Sequence, residues 1–278
     1  MENSFDAEQV NRAVSVNALF RHRTIEAQSQ LIMDNVADLP NITPIDATNA
    51  RTIPVSPAQE RLLFIHEFEN GSSAYNIDAA FELPGSVDVS ALEQALRVIL
   101  SRHEALRTLL VKDQATGTYL QRILSPDEAQ AMFTVAGGTA ESMEELDQGI
   151  TSLSRHVSRL DKELPWQARI LRHKSDQQYY LVLVFHHTSF DAWSLNVFER
   201  ELQVLYANLR TNVEGGTSLP PLKVQYKEYA QHHRQQLSAT DRVRHISDFW
   251  LQNLSGLEPL QLITDRPRPA QFDYAGVG

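Results

Sequence analysis

The 278 residues carry 42% hydrophobic side chains and a formal charge of −10, enough apolar material for a sizeable core in one large or two smaller domains and too much for a wholly disordered chain. Net acidity without clustered Lys and Arg excludes a nucleic-acid or anionic-membrane partner, and the lack of cysteine excludes disulfides, thiolate zinc sites and cysteine nucleophiles. The opening "MENSFDAEQVNRAV" has neither a basic nor an apolar signal region, and no apolar run nears the ~20 residues of a membrane span, so the expectation is a cytoplasmic chain with no membrane contact.

In chain order, residues 15 to 32 read as helical, with Thr24 as N-cap and Ile25, Leu31 and Ile32 available for one face. Residues 34 to 54 are polar and proline-punctuated, a linker. In "SPAQERLLFIHEF", Ser56 can cap, Pro57 suits the first helical position and Gln59 completes a capping box. "YNIDAAFEL" alternates, placing Ile77, Ala79, Phe81 and Leu83 on one strand face. A second capping box, at Ser90 and Glu93, opens a helix with Leu92, Leu96, Ile99 and Leu100 on one side. A hairpin is expected around Gly117, a helix over 141 to 160, and two strands flanking the polar turn at 174 to 178. Neither Gly137-Gly138 nor Gly215-Gly216 sits in a phosphate-loop pattern.

The chemistry concentrates in "LVLVFHHTSFDAWSLNVFERELQVLY". A continuous apolar strand, Tyr180 to Phe185, runs into His186, His187 and Asp191, and Trp193, Val197, Phe198, Leu202 and Leu205 then form a helical stripe. Strand-to-helix connections present side chains from a rigid element to a cleft. Three uses of the trio are open. As metal ligands, adjacent histidines on a strand point to opposite sides, a poor chelating geometry. As a nucleophile relay, Ser189 or Ser194 lacks a G-x-S-x-G elbow. As a general base, one histidine needs only a cleft and a group to hold its ring, which suits acyl transfer to an amine or hydroxyl.

"HHTSFDAWS" resembles the HHxxxDG motif of the condensation domains of nonribosomal peptide synthetases and of the wider chloramphenicol acetyltransferase-like superfamily. "SPAQERLLF" resembles the opening motif of these domains, "RHEALRT" the second and "VQYKEYAQHH" a tyrosine-containing one, while "FWLQNLSGLEPLQLITDRPRP" resembles the segment leading out of the first lobe. These stand in the family's order over about residues 50 to 278. Within the family, the wording of "VSPAQERLLFIHEF", "AYNIDAAFELPGS" and "FDAWS" is similar to that of fungal synthetases of the penicillin and cephalosporin precursor tripeptide, and "VNALFRHRTIEAQSQLI" resembles the last helices of a peptidyl carrier domain. Ala192 stands where the family usually has Gly, a departure that matters if the position needs φ > 0.

The resemblance implies an α/β, α+β-sandwich fold, the N-terminal lobe of a chloramphenicol acetyltransferase-like condensation domain at 53 to 278, preceded by a linker at 34 to 52 and a partial carrier domain at 1 to 33. It implies peptide-bond formation between aminoacyl or peptidyl thioesters, with carrier and adenylation domains of the same synthetase as partners. It implies His187 as general base or amine-positioning group, His186 as a structural neighbour, and Asp191 paired with an arginine of "RHEALRT", Arg107 ahead of Arg102. The 4′-phosphopantetheine arm belongs to carrier domains, and its serine lies upstream of Met1; no cofactor or metal is expected on this chain, and no activity from one lobe alone. A noncatalytic carrier-docking module is the alternative, discriminated by whether His187 faces an open cleft. An epimerisation relative has a different opening motif, and heterocyclisation relatives an Asp-based one.

Overall fold

The structure is a computed structural model that describes residues 21–37, 42, 44–45, 52–69, 71–211, 219–238, 240–258, 260, 263 and 267. The expectations for 15–20, for most of the linker, for Gly215-Gly216 and for most of the segment after 258 lie outside the described residues. The chain divides into two units, Met1–Thr43 and Pro44–Gly278. In the first, Thr24 Oγ1 accepts the Ala27 amide at 3.1 Å at the start of α1 (Ile25–Ala37), the cap expected from sequence. The helix runs past Asp34, so the first part of the polar stretch is helical, and Ile25 is exposed.

The second unit contains β1 (Thr52–Pro54), α2 (Pro57–Phe68), β2 (Asn76–Leu83), α3 (Val89–Arg102), a 3₁₀ turn (Glu104–Arg107), β3 (Thr108–Lys112), β4 (Tyr119–Ile123), α4 (Pro126–Met132), β5 (Val135–Ala140), α5 (Met143–Ser154), β6 (Trp166–His173), β7 (Tyr179–His186), α6 (Ala192–Arg210), α7 (Tyr226–Ser238) and α8 (Thr240–Leu254). It is an α/β fold on two sheets. One is three-stranded and antiparallel, in the order β1-β4-β3; the other is four-stranded, β2-β7-β6-β5, with β5 and β6 parallel and the rest antiparallel.

The capping box of α2 forms as expected, with Ser56 Oγ accepting the Gln59 amide and Gln59 Oε1 accepting the Ser56 amide. The cap of α3 is corrected: Asp88, not Ser90, accepts the first free amide, that of Ala91 at 3.0 Å. Ser90 lies inside the helix, where its hydroxyl accepts from Gln94; a carboxylate two residues earlier in sequence wins the orphan donor. Leu92, Leu96, Ile99 and Leu100 are buried as expected, and Ile77, Phe81 and Leu83 pack against the same core. The expected helix over 141 to 160 is confined to Met143–Ser154. Several elements were not anticipated, α4 and β5 among them. α4 carries its own capping box, Ser125 with Glu128, and β5, "VAGGTA", has two central glycines that weaken its strand pattern and pairs in parallel with β6. Thr52–Pro54, at the end of the presumed linker, pairs with β4.

The burial of β7 follows from its place between two layers. Leu181, Leu183 and Phe185 join the main core beside α3 and α6, while Val182 and Val184 join a second core with Leu146 and Leu153 of α5. A strand covered on both faces reads as an unbroken apolar run. No helix among the described residues is long and apolar enough to cross a membrane.

Candidate active site

The loop 187–191 is fixed from both ends. Where β7 runs out, the His186 amide donates to Pro165 O at 2.7 Å and the His187 amide to Tyr75 O at 2.8 Å. The Ser189 amide and hydroxyl both return to His186 O, at 3.0 and 3.1 Å, and turn the chain. Phe190 then stacks on Phe185 with ring centroids 3.8 Å apart, within an aromatic cluster that includes Trp166 and Phe198. Ala192 opens α6 without positive φ, so the methyl group that replaces the family's usual glycine meets no backbone strain; Gln177 is the non-glycine residue with φ > 0 among the described residues.

The two histidines face different environments, as strand alternation implies. His186 is 1% exposed; its Nδ1 accepts the Thr188 amide at 3.3 Å and lies 2.9 Å from Thr188 Oγ1. The neutral ring therefore carries its proton on Nε2, which is buried with no partner among the described residues, and His66 of α2 meets the ring edge-on at 5.6 Å. Burial first, and the nearby His66 and His187 next, lower the pKa of His186 from 6.5 to about 4. The unfolded chain thus binds a proton that the folded one refuses. Stability is full above pH 6.5 and falls by up to about 1.4 kcal/mol per unit as pH drops toward 4. Urea titrations of the wild type and of His186→Asn, which keeps a polar group near Thr188, should differ by this slope; parallel profiles would count against it.

His187 is exposed. Its Nδ1 lies 2.8 Å from Phe190 O, and since a carbonyl only accepts, Nδ1 holds the proton and the lone pair of the neutral ring is on Nε2. No hydrogen bond engages Nε2 among the described residues. This tautomer is what a base attacking an amine proton requires.

Asp191 is corrected. Neither arginine of "RHEALRT" is its partner: Arg102 Nε binds Glu201 at 3.1 and 3.2 Å, with His103 on the same carboxylate at 2.6 Å, and Arg107 lies 3.5 Å from Glu104 and donates to Ser101 O and Leu124 O. Acidic groups from α6 and the 3₁₀ turn stand closer in the fold. Asp191 instead caps α6, accepting the Ser194 amide at 2.8 Å and hydroxyl at 2.6 Å. Partial burial pushes its carboxyl up, but the Ser194 bonds, the charge of His187 and the Trp193 amide hold it below its ordinary value. Asp191→Ala should therefore cost about 0.5–2 kcal/mol, the range for a lost cap, and not the larger cost of an orphaned buried arginine. A loss above that range in chemical denaturation would restore a buried ion pair.

Several contributors were not assigned a site role from sequence. Gln59 Nε2 donates to Thr188 O at 3.0 Å, Ser56 Oγ lies 2.8 Å from Tyr226 OH, and His66 abuts His186. Gln59 and Tyr226 were visible only as members of motifs, and nothing local distinguishes His66 from any histidine on an amphipathic helix. A cavity of about 300 Å³ beside the loop is lined by Phe190, Trp193, Ser194, Val197, Leu222 and Tyr226 among others, but not by His187. Among the described residues no group of three or more His, Asp or Glu is placed to hold a metal.

A family model for the condensation domain matches residues 49–277. The chain is 68% identical over 269 residues to the N-(5-amino-5-carboxypentanoyl)-L-cysteinyl-D-valine synthase of Penicillium rubens, and 37% identical over 265 residues to the synthase of that name from Amycolatopsis lactamdurans. These alignments cover 97% and 95% of this chain and 7% of each synthase, so the chain spans a small part of either relative. Among solved structures, the X-domain from teicoplanin biosynthesis aligns with a TM-score of 0.69 at 24% identity, over 83% of this chain and 49% of that one. A variant of the starter condensation domain of rhizomide synthetase aligns with a TM-score of 0.65 at 15% identity, over 79% and 49%. These likenesses establish the chloramphenicol acetyltransferase-like fold expected from the sequence.

Proposed function

The chain belongs to the condensation-domain family, and from that premise we propose that it supplies one half of an amide-forming site in a nonribosomal peptide synthetase, with His187 as the base. The observation that carries this reading is the contact of His187 Nδ1 with the Phe190 carbonyl, which leaves Nε2 as the acceptor on an exposed side chain. The amine of a carrier-bound aminoacyl thioester attacks the carbonyl of a second thioester. The C–N bond forms, Nε2 takes the amine proton, the C–S bond breaks, and the departing thiolate receives the proton. His186 and Asp191 shape the loop and do not touch substrate.

The thioesters ride on 4′-phosphopantetheine arms of carrier domains, loaded by adenylation domains of the same synthetase. The 68% identity to the Penicillium rubens synthase supports N-(5-amino-5-carboxypentanoyl)-L-cysteinyl-D-valine, the β-lactam precursor, as the product of the whole. The proposed division is a partial carrier domain at 1–33, a linker at 34–52 and the first condensation lobe from 53. Because the chain covers 49% of the solved neighbours, the other half of the domain supplies the second wall of the site. The test is peptidyl-thioester formation from two loaded carriers by the chain joined to that second half, with and without His187. Equal product from both sinks the reading and favours a docking module.

A further inference from the structure

We propose that Gln59 is a positioning residue for this site: its side-chain amide clamps the 187–191 loop through the Thr188 carbonyl, so the Nε2 donor of Gln59, and not the cap that it also closes, determines where His187 stands. The inference rests on the reading of His187 as the base. Gln59 is 3% exposed and uses both ends of its amide, Oε1 accepting the Ser56 amide at 3.0 Å and Nε2 donating to Thr188 O at 3.0 Å, across 129 residues of sequence. Capping requires only the acceptor, and either Glu or Gln supplies it. The same motif recurs at α4, on the surface, and there the residue is Glu128, accepting the Ser125 amide at 2.7 Å. What separates the two boxes is the donor. A carboxylate has no proton to offer a carbonyl; the buried box faces one, and holds Gln. Thr188 is also held on its other side, Oγ1 to His186 Nδ1 at 2.9 Å, and is 4% exposed. Ser56 in turn lies 2.8 Å from Tyr226 OH and is fully buried. The clamp is thus seated in the core at one end, and the loop must follow it.

Gln59→Glu separates the two jobs, because it keeps the capping acceptor and removes the donor. In this variant of the 278-residue chain, amide exchange at 187–189 should quicken on the order of tenfold, the fold-change for a lost buried hydrogen bond. The ring nitrogen resonances of His187 should move away from a fixed Nδ1–H tautomer, while helix content is unchanged. Should the buried carboxylate unfold the protein, Gln59→Met, neutral and of similar length, carries the same expectation. Ser56→Ala weakens the cap yet leaves the Gln59 amide, and should leave exchange in the loop near wild type. Loop exchange and His187 resonances like wild type in the Gln59 variants, or loosening in Ser56→Ala equal to that in Gln59→Met, would overturn the positioning role. Within the complete domain, the kcat of peptide formation should fall with KM held. A loosened loop with undiminished kcat supports the clamp and instead removes His187 from the chemistry, so the two readings fail separately.

Discussion

Replacing His187 by alanine in the complete condensation domain is expected to slow peptide formation by about 10²–10⁴-fold, the range for losing a general base. The imidazole leaves and the fold stays: His187 is exposed and among the described residues contributes one side-chain hydrogen bond, to Phe190 O, so melting should barely change. Loading of the carriers by adenylation partners should be untouched. Alignment of two thioesters between both walls of the site is worth more, about 7–11 kcal/mol in well-oriented reactions. The chain by itself should therefore form less product than the complete domain lacking His187. Single-turnover assays with two loaded carriers rank the three proteins. Product from the bare chain at a rate near that of the complete domain would show that the site is not built from two halves.

Phe185→Ala is expected to cost about 3–5 kcal/mol of stability, the range for deleting a large buried aromatic side chain. Phe185 is fully buried, stacks on Phe190 at 3.8 Å and Trp166 at 5.6 Å, and meets Phe198 edge-on at 5.3 Å. The loss has a second consequence, because the ring that seats Phe190 also seats the carbonyl that orients His187. Activity should fall even at temperatures where the variant stays folded. Phe185→Leu fills much of the space and should cost less than half as much. A midpoint in urea for Phe185→Ala close to wild type would mean that the aromatic cluster is not the support of the loop.

The features legible in the sequence were those set by neighbours within a few residues. Ser56, Pro57 and Gln59 announce a helix start because a capping box closes over three positions, and the alternation from Ile77 to Leu83 announces a strand because the pleat has period two. The run from Leu181 to Phe185 announced burial on both faces, and the histidines after it marked the candidate site. Local pattern fails where two candidates compete over a short distance, as Asp88 and Ser90 did for the cap of α3.

What only the tertiary structure decided depends on partners far apart in sequence. β5 has two central glycines and only a weak strand pattern of its own, and is held by its parallel pairing with β6. Both arginines of "RHEALRT" were available to Asp191 in sequence, but Glu201 and Glu104 reach them in space, which leaves Asp191 to cap α6 with Ser194. The donor end of Gln59 was silent until Thr188, 129 residues away, arrived opposite it. A side-chain amide or carboxylate can satisfy any complementary group within about 3 Å, so sequence establishes which groups must find a partner, and the packing of helices and strands selects the one they find.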